Sequence, residues 1–177
     1  MIYIPGINKD IWPLFVWPEE NELFSSWICR FSNNNEIRSE SISKIYFDNS
    51  INLWNRDIDV FAPKALLDYL ENHTPLEKSQ IENLFLTSYE SIVFEKINPN
   101  GFTENILNLG IFHRKRKNYG IVFCPNCLKN SAYFKKEWRL FFSIYCETCK
   151  CKLLDRCPSC KKPISYHRNN FSKVNNS

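Results

Sequence analysis

The sequence predicts an α+β protein that has a helical N-terminal domain followed by a small cysteine-rich module. Apolar residues recur at helical spacing along the first two thirds of the chain, and Gly is scarce, with 4 residues in 177. Seven of the 8 cysteines lie between positions 124 and 160. These observations place the helical domain at residues 1–112 and the cysteine-rich module at residues 113–177.

The first helix is predicted over residues 20–32, because Leu23, Trp27 and Phe31 follow one another at intervals of four. We expect Trp27 to be a core residue, since aromatic side chains at helical spacing usually pack. Cys29, in the same helix, is expected to be a small buried hydrophobic residue. A second short helix is expected over residues 40–47.

Two further helices are predicted with a tight turn between them. The first covers residues 64–72, and Pro63 is interpreted as its first helical residue, a position that proline favours. The second covers residues 75–86, and its start resembles a capping box formed by Thr74 and Glu77. This spacing is typical of a helix-turn-helix, although most such pairs are ordinary helical hairpins.

The cysteine pairs Cys124-Pro-Asn-Cys127 and Cys146-Glu-Thr-Cys149 are separated by 18 residues. Each C-x₂-C turn directs two sulfurs to one point, so two turns supply the four tetrahedral ligands of a Zn²⁺ ion. The aromatic, β-prone residues between the pairs predict a hairpin that returns the chain to the metal. We therefore predict a zinc ribbon whose closed shell of four sulfurs leaves no position for a catalytic water.

A second metal ion is an open alternative in this module. Cys157-Pro-Ser-Cys160 is a third C-x₂-C pair, and no fourth pair follows it. Cys151 and His167 are the candidates to complete a second tetrahedral site with this pair. The other interpretation is a tandem ribbon that is cut short.

The charge of the chain is divided between its two parts. Residues 1–112 carry 8 Lys+Arg and 16 Asp+Glu, whereas residues 113–177 carry 15 Lys+Arg and 3 Asp+Glu. This asymmetry indicates two partners: a protein for the acidic part, and nucleic acid for the basic part. The phosphate-binding candidates are basic residues that we expect to be clustered and exposed: Arg114, Lys115, Arg116, Lys117, Lys135 and Lys136.

Export and membrane insertion are not indicated. The N-terminus lacks a basic segment followed by an apolar run, and no stretch approaches the length of a membrane-spanning helix. We expect a cytoplasmic protein of a prokaryote, in a reducing compartment where paired cysteines bind metal more often than they form disulfides.

The chain resembles the TniQ family of transposition targeting proteins. The family's C-terminal pattern is a C-P-x-C-L knuckle, a W-R-L strand, a C-x-x-H pair and a C-P-x-C pair. It is matched by Cys124 to Leu128, by Trp138-Arg139-Leu140, by Cys146 to Cys149 and by Cys157 to Cys160, with Cys149 where the family usually has His.

The N-terminal part also resembles the opening of this family, which reads Glu-Ser-Leu-x-Ser-Trp-x-x-Arg. Aligned on Trp27, the chain keeps Glu22, Ser26 and Arg30. Leu23 and Phe24 replace the family's first Ser and its Leu. Arg30 and Arg139 have two interpretations, as buried anchors of the fold or as phosphate contacts.

The resemblance implies a helix-turn-helix region followed by zinc ribbons, and a role in selecting transposon insertion sites. It also implies contact with an AAA+ ATPase transposition regulator, and either DNA or a nucleic-acid-containing complex as the target. The length is typical of short adaptor members, although a truncated longer member is the alternative.

The predicted function is therefore that of a non-catalytic targeting or adaptor subunit for DNA transposition. A second hypothesis is a zinc-ribbon transcription regulator that reads DNA through residues 75–86. A third is a thiol oxidoreductase that uses Cys124 and Cys127, which is disfavoured because no βαβ pattern surrounds the pair.

Overall fold

The computed structural model describes residues 11–47, 49–98, 101–112, 115–116 and 118–165. Helices dominate these residues, and regular strand is confined to a two-stranded antiparallel hairpin in which Ile111 pairs with Arg116. The α-helices are α1 (Phe24–Asn34), α2 (Ile42–Phe47), α3 (Lys64–His73), α4 (Lys78–Glu82) and α5 (Pro125–Asn130). The strands are β1 (Ile111–Phe112) and β2 (Lys115–Arg116), and the 3₁₀ turns are Ser39–Ser41, Leu86–Tyr89 and Lys136–Arg139.

The central element is α1, which is buried on nearly every side. Trp27 is fully buried, as predicted, and its indole nitrogen donates to the carbonyl of Val16 at 2.7 Å. Trp12 stacks on Trp27 with 5.8 Å between ring centroids, and Phe24 stacks on Phe85 at 4.7 Å. Cys29 is also fully buried, which confirms its prediction as a core residue.

The second predicted helix of the hairpin is shorter than expected. α3 lies where it was predicted, although Pro63 is its N-cap rather than its first residue. α4 covers only Lys78–Glu82 rather than residues 75–86. The capping box predicted for Thr74 and Glu77 is wrong by one turn, because Glu77 is the N-cap and pairs with Gln80. Thr74 instead donates its hydroxyl to the Leu70 carbonyl at 2.7 Å, which closes the preceding helix.

The predicted hairpin between the first two cysteine pairs is also wrong. Trp138 and Arg139 lie in a 3₁₀ turn, and only isolated bridges link this part of the chain to its neighbours. These bridges pair Glu22 with Lys135, Ile106 with Leu140, Phe123 with Leu154 and Tyr145 with Lys152. The aromatic side chains that favoured a strand are used for packing against the helical part instead.

Residues 133–140, which we name the linker segment, join the cysteine-rich part to α1. The Leu23 N–H donates to the Phe134 carbonyl at 2.9 Å, and the Lys136 N–H donates to the Asn21 carbonyl at 2.7 Å. Phe134 and Trp138 are about 1% exposed and belong to the same core as Trp27. Packing therefore crosses the predicted boundary at residue 112, which stays a prediction.

One hydrogen-bonded group along α1 contains the three residues kept from the family's opening pattern, Glu22, Ser26 and Arg30. Arg30 binds the Glu22 carboxylate in bidentate fashion, with N–O distances of 2.9 and 2.7 Å. Ser26 donates to the same carboxylate at 2.8 Å and accepts the Phe134 N–H at 2.8 Å. This group thus positions the linker segment, and Arg30 is an anchor of the fold.

Arg139 makes the second attachment of the linker segment. Its side chain is 0% exposed, and its guanidinium contacts Asp57 at 2.6 and 3.1 Å and Asp59 at 3.4 Å. Asp59 also accepts the Ser25 N–H at 2.8 Å and the Ser25 hydroxyl at 2.7 Å. Burial and the neighbouring Asp57 raise the pKa of Asp59 to about 6, although Arg139 and Ser25 act to lower it. Arg139 is therefore a buried anchor as well.

No helix among the described residues is long and apolar enough to cross a membrane.

Candidate metal centre

The first cysteine knuckle lies at the start of a helix. Cys124 is the N-cap of α5, Pro125 occupies its first turn, and the Cys127 N–H donates to the Cys124 sulfur at 3.3 Å. Proline is favoured here because its fixed φ suits the first helical residue and its missing N–H would have no helical partner. The helix therefore turns both sulfurs toward the same side.

The second knuckle is a tight turn that has the left-handed conformation at its end. The Cys149 N–H donates to the Cys146 sulfur at 3.4 Å, and the Lys150 N–H donates to the Cys146 carbonyl at 2.9 Å. Lys150 has φ of +50°. The turn is closed by a 2.8 Å bond from the Cys146 N–H to the Cys151 carbonyl.

The two knuckles bring four sulfurs together. The sulfurs of Cys124, Cys127, Cys146 and Cys149 all lie within 4.8 Å of one another, which gives a group that could hold a metal ion. Cys127 Sγ is 3.5 Å from both Cys146 Sγ and Cys149 Sγ. Ligands at Zn–S distances of about 2.3 Å in a tetrahedron are roughly 3.8 Å apart, so this donor set fits a tetrahedral thiolate site.

The site is set into the hydrophobic core. Cys124 and Cys146 are buried, whereas Cys127 and Cys149 are half-buried. Burial alone raises the pKa of the Cys124 thiol, but the Cys127 N–H and neighbouring thiols outweigh it and bring this pKa to about 7. One thiol of the group is thus prepared to lose its proton near neutral pH, which metal binding requires.

Cys151 lies with the first cluster rather than with the third knuckle. Its sulfur is 3.5 Å from Cys124 Sγ and 3.9 Å from Asn126 Nδ2. Across the described part of the chain, the four-cysteine cluster is the one group with metal-binding geometry, so Cys151, Cys157 and Cys160 form no such group. The second ion predicted at Cys151, Cys157, Cys160 and His167 stays a prediction, because His167 lies outside the described residues.

The third knuckle repeats the backbone of the second. The Lys161 N–H donates to the Cys157 carbonyl at 2.9 Å, and Lys161 has φ of +60°. Hydrogen bonds from the N–H groups of Cys160 and Ser159 lower the pKa of Cys157. Cys157 is half-buried and Cys160 is exposed.

The phosphate-binding candidates are placed differently from the prediction. Lys136 was expected to be exposed and is 1% exposed, because its ammonium group donates to Asn83 Oδ1 at 2.6 Å and to Ser88 Oγ at 2.8 Å. Burial lowers the pKa of Lys136 to about 8. Lys135 is half-buried and contacts Glu137 at 3.6 Å. Neither lysine therefore lies in an exposed basic cluster.

The basic run before the cysteines is only partly described. Lys115 and Arg116 form β2, where their backbone is described and their side chains are not. Arg114 and Lys117 lie outside the described residues. The role predicted for these four residues stays a prediction.

Sequence reasoning missed the exposed surface beside the second knuckle. Phe141 is 73% exposed and Tyr145 is 66% exposed, and Phe142 and Ile144 between them are exposed as well. The exposed basic residues in the described part of this module are Lys129, Lys150, Lys152, Arg156, Lys161 and Lys162. The aromatic run was assigned to a hairpin core, and only the fold reveals that its second half points outward.

The fold and site define a mainly helical protein with a cysteine-knuckle module that could hold a metal ion. The TniQ family model matches residues 13–153, which is most of the chain, and the chain therefore belongs to the TniQ family. This confirms the resemblance carried by Glu22, Ser26, Arg30 and the first two cysteine pairs, which lie within the matched residues. Membership indicates a transposition-associated targeting protein and fits a non-catalytic role. A comparison with curated proteins found no match.

Proposed function

We propose that this protein is a non-catalytic targeting adaptor for DNA transposition, which binds a nucleic-acid target and recruits an AAA+ ATPase regulator. The observation that carries the proposal is the match to the TniQ family over residues 13–153. The linker segment packs the cysteine module against the helical part of the protein. This packing supports a scaffold that holds two binding surfaces in fixed relative positions.

The ion at the four-cysteine cluster is Zn²⁺ in this proposal. Four thiolates select zinc or an iron centre among common metals, and zinc favours a closed tetrahedral shell in structural sites. Bound Zn²⁺ would cross-link the chain, because it would join the first knuckle, at the start of α5, to the second knuckle. Cys124, Cys127, Cys146 and Cys149 are the residues that would hold it.

The nucleic-acid surface lies on the outer side of the cysteine module. Lys152 and Arg156 are exposed and line one groove with Phe141, and Tyr145 forms an antiparallel bridge with Lys152. Exposed cations supply sequence-independent affinity for phosphates, and exposed aromatic rings stack on unpaired bases. The Arg156 guanidinium already lies 4.4 Å from the Tyr119 ring centroid. This combination supports binding of DNA that is at least partly single-stranded.

This surface is tested by fluorescence anisotropy with labelled duplex and single-stranded DNA over a salt series. For the intact protein we expect affinity to fall steeply with salt, and neutralisation of Lys152 or Arg156 to reduce the slope by about 1 in each case. Phe141→Ala and Tyr145→Ala should weaken single-stranded binding more than duplex binding. Glu82→Lys on α4 serves as the control on the acidic part.

A separate test concerns the basic run that precedes the module. The charge asymmetry supports a phosphate-binding role for Arg114, Lys115, Arg116 and Lys117. Reversing Lys115, Arg116 and Lys117 to Glu should weaken DNA binding and leave ATPase binding intact. Unchanged DNA affinity in this variant would exclude the basic run from the nucleic-acid surface.

The ATPase surface is assigned to the acidic part. A groove of about 310 Å³ is lined by Trp17, Glu19, Glu20 and Gln80, among others. Trp17 is 57% exposed at this groove. An exposed aromatic residue that lines a groove with the Glu20 carboxylate suits a basic protein surface, because it combines an apolar anchor with charge complementarity.

The ATPase surface is tested by co-purification with an AAA+ transposition regulator. Glu20→Lys and Trp17→Ala should each abolish co-purification while leaving DNA anisotropy unchanged. Lys152→Glu should do the reverse. Loss of both activities in each variant would contradict the division of the two surfaces.

A promoter-reading regulator is less well supported. That function needs a recognition helix that can lie in a DNA major groove. The helix proposed for this role, α4, has five residues and lies in the acidic part. A thiol oxidoreductase at Cys124 and Cys127 would have to leave these thiols free of metal, whereas the cluster joins them to Cys146 and Cys149.

A further inference from the structure

A fifth thiol, that of Cys151, lies at ligand distance from one sulfur of the four-cysteine cluster. Cys151 Sγ is 3.5 Å from Cys124 Sγ, and the same distance separates Cys127 Sγ from Cys146 Sγ. Sulfurs that share one tetrahedral zinc ion are roughly 3.8 Å apart. The position of Cys151 relative to Cys124 is thus that of a second ligand to one ion.

Both knuckles hold Cys151 in this place. Its carbonyl accepts the Cys146 N–H at 2.8 Å. The adjacent residues Tyr145 and Lys152 form an antiparallel bridge beside this bond. Its sulfur faces the first knuckle, where Asn126 Nδ2 lies 3.9 Å away. The backbone therefore belongs to the second knuckle while the sulfur points at the first.

The fold of the knuckle does not require a thiol at this position. In the third knuckle the corresponding closing bond runs from the Cys157 N–H to the Lys162 carbonyl at 3.0 Å. Lys162 thus occupies the place of Cys151, and the turn forms equally well with either residue. Only the backbone carbonyl is needed for the turn, so the sulfur of Cys151 is available for another role.

We propose that Cys151 is a reserve ligand of the metal centre, which takes the fourth position when Cys149 leaves it. This rests on the proposed metal site and not on the proposed targeting role. Cys127 and Cys149 are the half-buried members, and Cys127 Sγ lies 3.5 Å from two other sulfurs of the cluster, so Cys149 is the member that can leave. In the exchange the Cys149–metal bond breaks and the Cys151–metal bond forms. The Cys151 proton passes to the released Cys149 thiolate, so the charge of the centre is unchanged.

The test compares the full-length protein with Cys149→Ser, Cys151→Ser and the double variant. Zinc content is measured after dialysis, and the number of thiolate ligands is read from the absorption spectrum of the Co²⁺-substituted protein. Cys157→Ser is the matched control, since it removes a thiol from a knuckle of the same backbone geometry.

We expect Cys149→Ser and Cys151→Ser each to keep zinc and a four-thiolate Co²⁺ spectrum. The double variant should show a three-thiolate spectrum and bind zinc at least about tenfold more weakly than Cys149→Ser, because one sulfur ligand is then missing. Cys157→Ser should match the unmodified protein in both measurements.

The reserve role would be overturned if the single variant Cys149→Ser showed a three-thiolate spectrum or lost its zinc. It would also be overturned if that variant failed to fold. An unmodified protein that binds neither Zn²⁺ nor Co²⁺ would overturn the metal centre together with it. DNA anisotropy of the same samples reports on the targeting role separately.

Discussion

The second and third cysteine knuckles have the same backbone geometry and different surroundings. Lys150 and Lys161 follow the second cysteine of each pair with φ of +50° and +60°. Each donates its N–H to the carbonyl of the first cysteine at 2.9 Å. Yet the sulfurs at 146 and 149 face another knuckle, and no such partner faces Cys157 and Cys160 in the described part of the chain. A knuckle is thus a local structure, and a metal centre is a tertiary one.

The reason for the difference is the linker segment. It leaves the first knuckle, packs Phe134 and Trp138 into the helical core, and returns the chain to Cys146. Arg139 fixes this path by its contacts to Asp57 and Asp59. The third knuckle follows the second after seven residues, and in the described part of the chain the Tyr119 hydroxyl attaches it by donating to the Lys161 carbonyl at 3.1 Å.

The largest expected effect comes from removing one buried ligand. Cys146→Ser should reduce bound zinc from about one ion per chain to nearly none, because three sulfurs and a hydroxyl hold zinc far more weakly than four thiolates. Zinc content after dialysis measures this. Cys157→Ser is the control, and an equal loss in both variants would mean that the two knuckles are not different in function.

The next largest effect concerns the anchor of the linker segment. Arg139→Met should lower the free energy of unfolding by about 3–5 kcal/mol, because it leaves buried carboxylates without their cation. Urea denaturation followed by tryptophan fluorescence measures it. Lys150→Met, at an exposed lysine, should change stability by less than about 0.5 kcal/mol. Similar values for the two variants would argue against a buried anchor.

A smaller effect is expected at α1, where Ser26 joins Glu22 to the linker segment. Ser26→Ala should cost about 1–3 kcal/mol, because the buried Phe134 N–H loses its acceptor and Glu22 loses a donor. Ser79→Ala, at an exposed position in α4, is the matched control for loss of a hydroxyl. Equal stability of the two variants would show that the Glu22 group does not position the linker segment.

The smallest expected effect concerns the residues with positive φ in the second and third knuckles, Lys150 and Lys161. Lys150→Gly should raise the free energy of unfolding by about 1 kcal/mol, because glycine adopts positive φ without steric cost. Lys161→Gly should leave the main unfolding transition unchanged, since the third knuckle makes few attachments to the core. A gain of the same size in both variants would place the third knuckle inside the cooperative unit.

Much of the local structure followed from the sequence. The interval of four between Trp27 and Phe31 predicted α1, Pro63 marked the approach to α3, and the spacing of Cys124, Cys127, Cys146 and Cys149 predicted the ligand cluster. These features depend on residues close in sequence or on a motif whose geometry is fixed by its own turns.

Other features were decided by packing between distant residues. The aromatic run after residue 131 has strand propensity, but burial against α1 gives it a 3₁₀ turn and irregular backbone instead. The sequence indicates a surface cation at Lys136, yet its ammonium group donates hydrogen bonds to Asn83 and Ser88 inside the protein. β propensity and charge are properties of single residues. Burial of a large apolar surface in the folded core outweighs both of them.

The sequence by itself determined which residues form knuckles and which family the chain belongs to, because both are patterns of residue type and spacing. Only the tertiary structure decided that Cys151 faces the first knuckle and that Arg30 and Arg139 are anchors. Spacing along the chain specifies a turn, whereas the partner of a side chain depends on where the folded core places it.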